Sequence, residues 1–228
     1  NDSITDNPRT IVLTRDTTFT ASFAIDKHSV ATTSNNPTMG EAIGSGDFDY
    51  NSATYISAEA FTGYHFVQWS DGATANPRRI IVTQDTIFTA EFEVNGYTAT
   101  ITSNDETMGT VTGSGFYDYR TTLELSATAF YGYHFARWND GNVDNPRTLV
   151  ITQDTALTAI FEISSFTITV EAENAQMGSV SGSGNYSYLS QATIIATAAT
   201  NYHFEQWSDG STTNPRLINV TSDSVFVA

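Results

Sequence analysis

Cysteine is absent from this chain of 228 residues, and lysine occurs only once, at Lys27. The lack of cysteine excludes disulfides, thiolate nucleophiles and cysteine-ligated zinc. Lysine and arginine together number 9 against 25 aspartates and glutamates, which gives a formal net charge of -16. Because phosphate groups are neutralised by lysine and arginine, this balance argues against a nucleic-acid partner and against an anionic membrane surface.

Long apolar runs and helical patterns are also missing. No stretch approaches the roughly 18 apolar residues that predict a transmembrane helix, and no secretory signal opens the chain. No segment combines a helical period of apolar residues with helix caps. Threonine, serine, asparagine, aspartate and glycine are abundant, which favours short strands joined by tight turns. The sequence therefore predicts an all-β protein without membrane insertion in this segment.

A repeat of 69 residues organises the chain. Its clearest marker is the triplet Asn-Pro-Arg, which starts at Asn7, Asn76, Asn145 and Asn214. No insertion or deletion breaks this spacing, so we divide the chain by it. Residues 1–26 are the C-terminal part of a truncated repeat, 27–95 and 96–164 are repeat modules, and 165–228 is a module lacking its last residues. We expect a longer array that continues in both directions.

Alternating apolar residues predict six or seven short strands in each module. In the second module, Tyr97, Ala99 and Ile101 lie on one face of a strand. A glycine-rich turn at 113–115 suits a tight hairpin. We expect a tandem array of small antiparallel β-sandwich-like, or helix-less β-grasp-like, modules forming an elongated rod. Since a module of 69 residues is marginally stable alone, the neighbouring repeats are its expected partners.

The second module carries a longer signature over residues 108–161. It reads Met-Gly-x-Val-x-Gly-Ser-Gly-x-Tyr-x-Tyr, then Gly-Tyr-His-Phe-x-x-Trp-x-Asp-Gly, Asn-Pro-Arg and Thr-Ala-x-Phe. This string resembles the divergent internalin-type B-repeat, also called the Listeria–Bacteroides repeat. The resemblance implies a secreted or cell-surface bacterial protein, and a stalk, spacer or adhesin segment. The chain also has no nucleophile–base pair, no phosphate loop and no paired carboxylates at a repeated position, so we expect no enzyme activity and no cofactor.

Catalytic and metal sites were sought among the recurring polar residues. The histidines His65, His134 and His203 recur, but no repeated carboxylate is placed to orient them as bases, so we interpret them as structural. The stretch 139–145 is rich in oxygen ligands and resembles a calcium loop. Its counterparts keep only one Asp and one Asn, which is ordinary turn chemistry. We therefore predict no catalytic, cofactor-binding or metal-binding residue.

The tryptophans are candidates for ligand stacking. Their neighbours two positions earlier change from Val67 to Ala136 to Glu205, which indicates a partly wet face. Aromatic rings on such a face could stack on sugars, although they could equally fill a small core. The candidate stacking residues are Trp69, Trp138 and Trp207. They support an alternative function, an adhesin-type module with weak multivalent binding to host or cell-surface glycans or proteins.

A second surface candidate is an Asp-Thr or Asp-Ser pair in the last hairpin of each module. It resembles the acceptor of the general O-glycosylation system of Bacteroidetes, and it could also simply form the turn. The candidate acceptors are Thr17, Thr86, Thr155 and Ser224. Asp2-Ser3-Ile4 is a further match outside the repeat. The leading hypothesis for the whole chain is a structural stalk, spacer or fibre segment of an extracellular protein.

Overall fold

The computed structural model describes residues 4–228, and every regular element in that range is a β-strand. The chain divides after Asn95 into two compact units. The first unit holds one complete repeat and the second holds two, so the prediction of an all-β repeat array is confirmed. No helix in the described range is long and apolar enough to cross a membrane.

Seven strands form each of the first two modules and six form the third. The first module contains β1 (Lys27–Ser34), β2 (Gly40–Ile43), β3 (Gly46–Asp49), β4 (Ala53–Ala60), β5 (Tyr64–Trp69), β6 (Arg78–Ile81) and β7 (Thr86–Val94). The second contains β8 (Gly96–Ser103), β9 (Gly109–Thr112), β10 (Gly115–Asp118), β11 (Thr122–Ala129), β12 (Tyr133–Trp138), β13 (Arg147–Val150) and β14 (Thr155–Ile163). The third contains β15 (Ser165–Glu171), β16 (Gly178–Ser181), β17 (Gly184–Ser187), β18 (Gln191–Ala198), β19 (Arg216–Asn219) and β20 (Ser224–Val227).

Two small sheets make up each module. In the second module the strand orders are β10-β8-β14-β12 and β13-β11-β9, and the first module repeats this arrangement. The first and last strands of the module, β8 and β14, pair in parallel. This pairing differs from the purely antiparallel sheets that we expected. The chain leaves β8, builds the second sheet and returns, so that β14 runs in the direction of β8.

The hydrophobic cores follow the sequence repeat. Each core is drawn from a single module, and alternate residues of its strands supply it. The largest fully buried side chains include the three tryptophans, Phe92 and Phe161. Residues 4–26 form no strand and lie exposed, so the hairpin expected there is not formed.

A β-bulge explains why Trp69 and Trp138 are buried. In β12 the pairing with β14 shifts register between Phe135 and Arg137. The extra residue inverts the alternation of the strand, so Phe135 and Trp138 point to the same side. Their ring centroids lie 5.4 Å apart in the core. The expectation of a wet tryptophan face assumed unbroken alternation, and it is wrong for that reason.

Candidate functional site

The recurring tryptophan is a core residue with a satisfied polar group. Trp138 has no exposed surface, and its Nε1 donates to the main-chain oxygen of Asp144 at 2.9 Å. The same bond joins Trp69 to the oxygen of Ala75 at 3.1 Å, and Trp207 makes its own equivalent. A buried ring offers no face to a sugar. The ligand-stacking hypothesis for Trp69, Trp138 and Trp207 is therefore corrected to a packing role.

The asparagine of the Asn-Pro-Arg triplet pairs with a neighbouring strand in each of the three modules. The Nδ2 of Asn145 donates to the oxygen of Ala127 at 2.6 Å, and its Oδ1 accepts from the Ala127 nitrogen at 2.9 Å. This side chain thus replaces a main-chain partner beside β11. The peptide bond between Asn145 and Pro146 is cis. Equivalent pairs join Asn76 to Ala58 and Asn214 to Ala196.

An aspartate–arginine pair closes the turn after each tryptophan. In the second module Arg147 Nη2 lies 2.7 Å from Asp140 Oδ2. The hydrogen bond from Arg147 holds the pKa of the Asp140 carboxyl below its ordinary value. The same pairing joins Asp71 to Arg78, and it recurs in the third module. These carboxylates are committed to guanidinium groups, which supports a turn rather than a calcium loop.

Within residues 4–228 no three His, Asp or Glu side chains are grouped to hold a metal ion. The Nδ1 of His65 lies 2.8 Å from Asn95 Oδ1, and that of His134 lies 3.3 Å from Ser164 Oγ. Both histidines are exposed and contact the last residue of their own module. His203 lies at the edge of a groove in the third module.

That groove has a volume of about 470 Å³, and Gly178, Trp207 and Ala228 contribute to its wall. In the second module the corresponding space holds the ring of Phe161 against Gly109. A Cβ placed on Gly109 would lie 2.6 Å from the Phe161 Cζ. The groove thus corresponds to the space that a core side chain occupies in the second module.

The Asp-Thr pairs lie where the last strand of each module begins. Thr155 is half-buried and its hydroxyl donates to the oxygen of Gln153 at 3.1 Å. Asp154 Oδ1 accepts from the main-chain nitrogen of Thr98 at 2.8 Å, which ties the turn to β8. Equivalent hydroxyl bonds are made by Thr17, Thr86 and Ser224. Asp2 and Ser3 lie outside the described residues.

Two constraints were missed by sequence reasoning. Asn104 bonds the main chain of Phe161 at both its nitrogen, at 2.9 Å, and its oxygen, at 3.1 Å. The other is the aspartate–arginine pair. The repeat could have revealed both contacts. Asn35 and Asn104 share one repeat position, and each Asp precedes its Arg by seven residues.

Comparison with known proteins gives one family. The model of the divergent InlB B-repeat domain matches the chain in three tandem stretches, residues 30–96, 99–165 and 168–227. No curated protein matches the chain. Among solved structures, the Bacillus anthracis TIE protein is similar, with a TM-score of 0.43 and 9% identity over 89% of this chain and 49% of that chain. The chain thus spans about half the length of that protein.

Proposed function

The chain belongs to the divergent InlB B-repeat family, and from that premise we propose that it is a load-bearing stalk or spacer segment of an extracellular bacterial surface protein. The family is a repeat typical of bacterial surface proteins and is generally non-enzymatic. The observation that carries the proposal is the parallel pairing of the first and last strand of every module.

This pairing decides how a module meets tension along the chain. In the second module five residue pairs form the parallel register, from Ala99 with Thr155 to Ser103 with Ala159. The chain enters at the start of β8 and leaves at the end of β14, which are opposite ends of the pair. Pulling on the termini therefore slides the two strands past each other. The slanted hydrogen bonds of the ladder are then loaded together rather than one after another.

Side chains strengthen both ends of this ladder. Asp154 accepts from Thr98 at the start of the pair. Asn104 continues the pair beyond the end of β8 through its two bonds to Phe161. The first module uses Asp85 and Asn35 at the same places. These side-chain bonds lengthen the ladder at both ends, so that more hydrogen bonds share the load on a spacer under tension.

Single-molecule force spectroscopy of the full chain tests this role. The variant Asn104→Ala removes two hydrogen bonds, together worth about 1–2 kcal/mol. We expect each molecule to show one unfolding step at lower force, and Asn35→Ala to show one likewise. The double variant should show two. Unchanged unfolding forces in all three variants would contradict a load-bearing ladder.

The adhesin-type alternative depends on exposed rings other than the tryptophans. Phe116 and Tyr55 are strongly exposed, but the residues at the position of Tyr55 in the other modules are Glu124 and Thr193. Phe61 and Phe130, each 45% exposed, share one repeat position, but the third module has Ala199 there. Because an exposed ring recurs in only two of the three modules, the aromatic residues give weak support to multivalent binding. Screening the chain against immobilised glycans and host surface proteins distinguishes the two functions. Binding lost on Phe116→Ser or Tyr55→Thr would favour the adhesin.

Covalent glycans at Thr17, Thr86, Thr155 and Ser224 are part of the same proposal for an extracellular chain. Each hydroxyl donates one hydrogen bond within its turn, and an attached sugar would remove that hydrogen. Modification would therefore exchange a turn bond for a shielded surface. Intact-mass measurement of native protein, followed by peptide mapping of the last hairpins, tests it. An unmodified mass would reject the glycans and leave the stalk proposal standing.

A further inference from the structure

Four aromatic rings meet within the second unit, at the boundary between its two modules. Tyr131 stacks on Phe166 with centroids 6.0 Å apart, and it meets Tyr188 edge-on at 5.7 Å. Tyr133 and Phe166 also contact Tyr188, at 5.9 Å and 6.1 Å. Two of the rings come from the second module and two from the third. This group, called the junction cluster below, joins modules whose hydrophobic cores are separate.

Hydrogen bonds reinforce the junction cluster. The hydroxyl of Tyr131 donates to the main-chain oxygen of Thr221 at 2.7 Å, across 90 residues of sequence. Ser164, which connects β14 to β15, makes one main-chain hydrogen bond to each of the two modules. Its nitrogen donates to the Gly132 oxygen at 2.9 Å, and its oxygen accepts from the Tyr188 nitrogen at 2.8 Å. The short connection is therefore held by both modules.

Glycine at position 132 makes room for the cluster. Gly132 has a φ of +89°, and a Cβ placed there would lie 2.2 Å from the Tyr188 ring. A side chain at this position would displace that ring. The Tyr188 ring thus packs directly on the main chain of the preceding module.

The residue at position 131 differs between the copies. Its equivalents are Thr62 and Thr200, whereas Tyr188 has tyrosine equivalents in the other two modules. The Tyr188 ring is therefore a feature of the repeat, and the Tyr131 ring that meets it edge-on is not. We infer that the residue at this position sets how strongly a module is coupled to the module that follows. Tyrosine at 131 makes the second and third modules one cooperative unit.

This inference is independent of the load-bearing role, because it concerns coupling at equilibrium. Tyr131→Thr in the full chain places at 131 the residue that the other copies carry. Tyr131→Phe keeps the ring and removes the hydroxyl. Tyr55→Thr is the matched control, since Tyr55 is an exposed tyrosine, 61% accessible, on a strand of the first module. Hydrogen exchange read by mass spectrometry reports the main-chain amides of Ser164 and Tyr188 directly.

We expect Tyr131→Thr to speed exchange at Ser164 and Tyr188 by about tenfold, since two ring contacts and one hydrogen bond are lost. The ring keeps 66% of its surface exposed, so a larger effect is not expected. Tyr131→Phe should give a smaller acceleration, and Tyr55→Thr none at these amides. Calorimetry should resolve the second unit of Tyr131→Thr into two transitions.

Two outcomes would overturn the inference. One is unchanged exchange at Ser164 and Tyr188 in Tyr131→Thr. The other is the same acceleration in Tyr55→Thr, which would mark a general loss of stability. If Tyr131→Thr fails to fold, Tyr131→Phe decides the question, because a coupling role requires it to lie between the wild type and complete uncoupling at these two amides.

Discussion

The contact between Phe161 and Gly109 offers the sharpest test of the core packing. The Phe161 ring is 2% exposed, and a Cβ on Gly109 would meet it at 2.6 Å. Gly178 is the same position in the third module, where no ring is present and the nearest atom is a main-chain oxygen at 2.8 Å. Gly109 also faces a main-chain oxygen, at 2.7 Å. Comparing the two glycines therefore isolates the effect of the ring.

We expect Gly109→Ala to lower the free energy of unfolding by about 1–3 kcal/mol more than Gly178→Ala, which is the usual range for overpacking. Phe161→Ala alone should lower it by about 3–5 kcal/mol. In the double variant Gly109→Ala, Phe161→Ala the added methyl no longer meets a ring. Its loss of unfolding free energy should therefore be smaller than the sum of the two single losses.

Hydrogen exchange of peptides from 96–164 and 165–228 measures the stability of each module separately. The entropy that alanine removes from the unfolded chain is the same at both glycines and cancels in the comparison. Equal losses in Gly109→Ala and Gly178→Ala would refute the packing argument. Strict additivity in the double variant would refute it as well.

Further predictions concern single groups. Because Arg147 holds the pKa of Asp140 below 3.8, the stability from this pair is present above that pH and lost as the pH falls towards the lowered value. Acid titration of unfolding should therefore show a smaller loss in Asp140→Asn than in the wild type, and an equal loss would contradict the pairing. Trp138→Phe should cost roughly 1–3 kcal/mol in chemical denaturation, since it leaves a void and orphans the Asp144 oxygen; a neutral effect would argue against the buried indole.

The fold was predicted from the 69-residue repeat and from the alternation of apolar and polar residues along the strands. Ala99 and Ile101 were correctly placed on one face of a strand, because period-two patterns report which face is buried. The parallel pairing of β8 with β14 was not predicted, since alternation says nothing about which strands are neighbours. The error at Trp138 came from the bulge, which inverts alternation without a mark in the local residues. Asn104 was overlooked because its partner lies 57 residues away.

The parallel pair also determines when a module becomes complete during synthesis. Its first strand has no parallel partner until residues 56 positions further along the chain are made, as with Ala99 and its partner Thr155. Each new module therefore stays open until almost its whole repeat has left the ribosome. During that interval the last strand of a neighbouring copy, with a closely similar sequence, competes for the same edge. The correct pairing of a module therefore depends on its own last strand reaching this edge before the last strand of a neighbouring copy does.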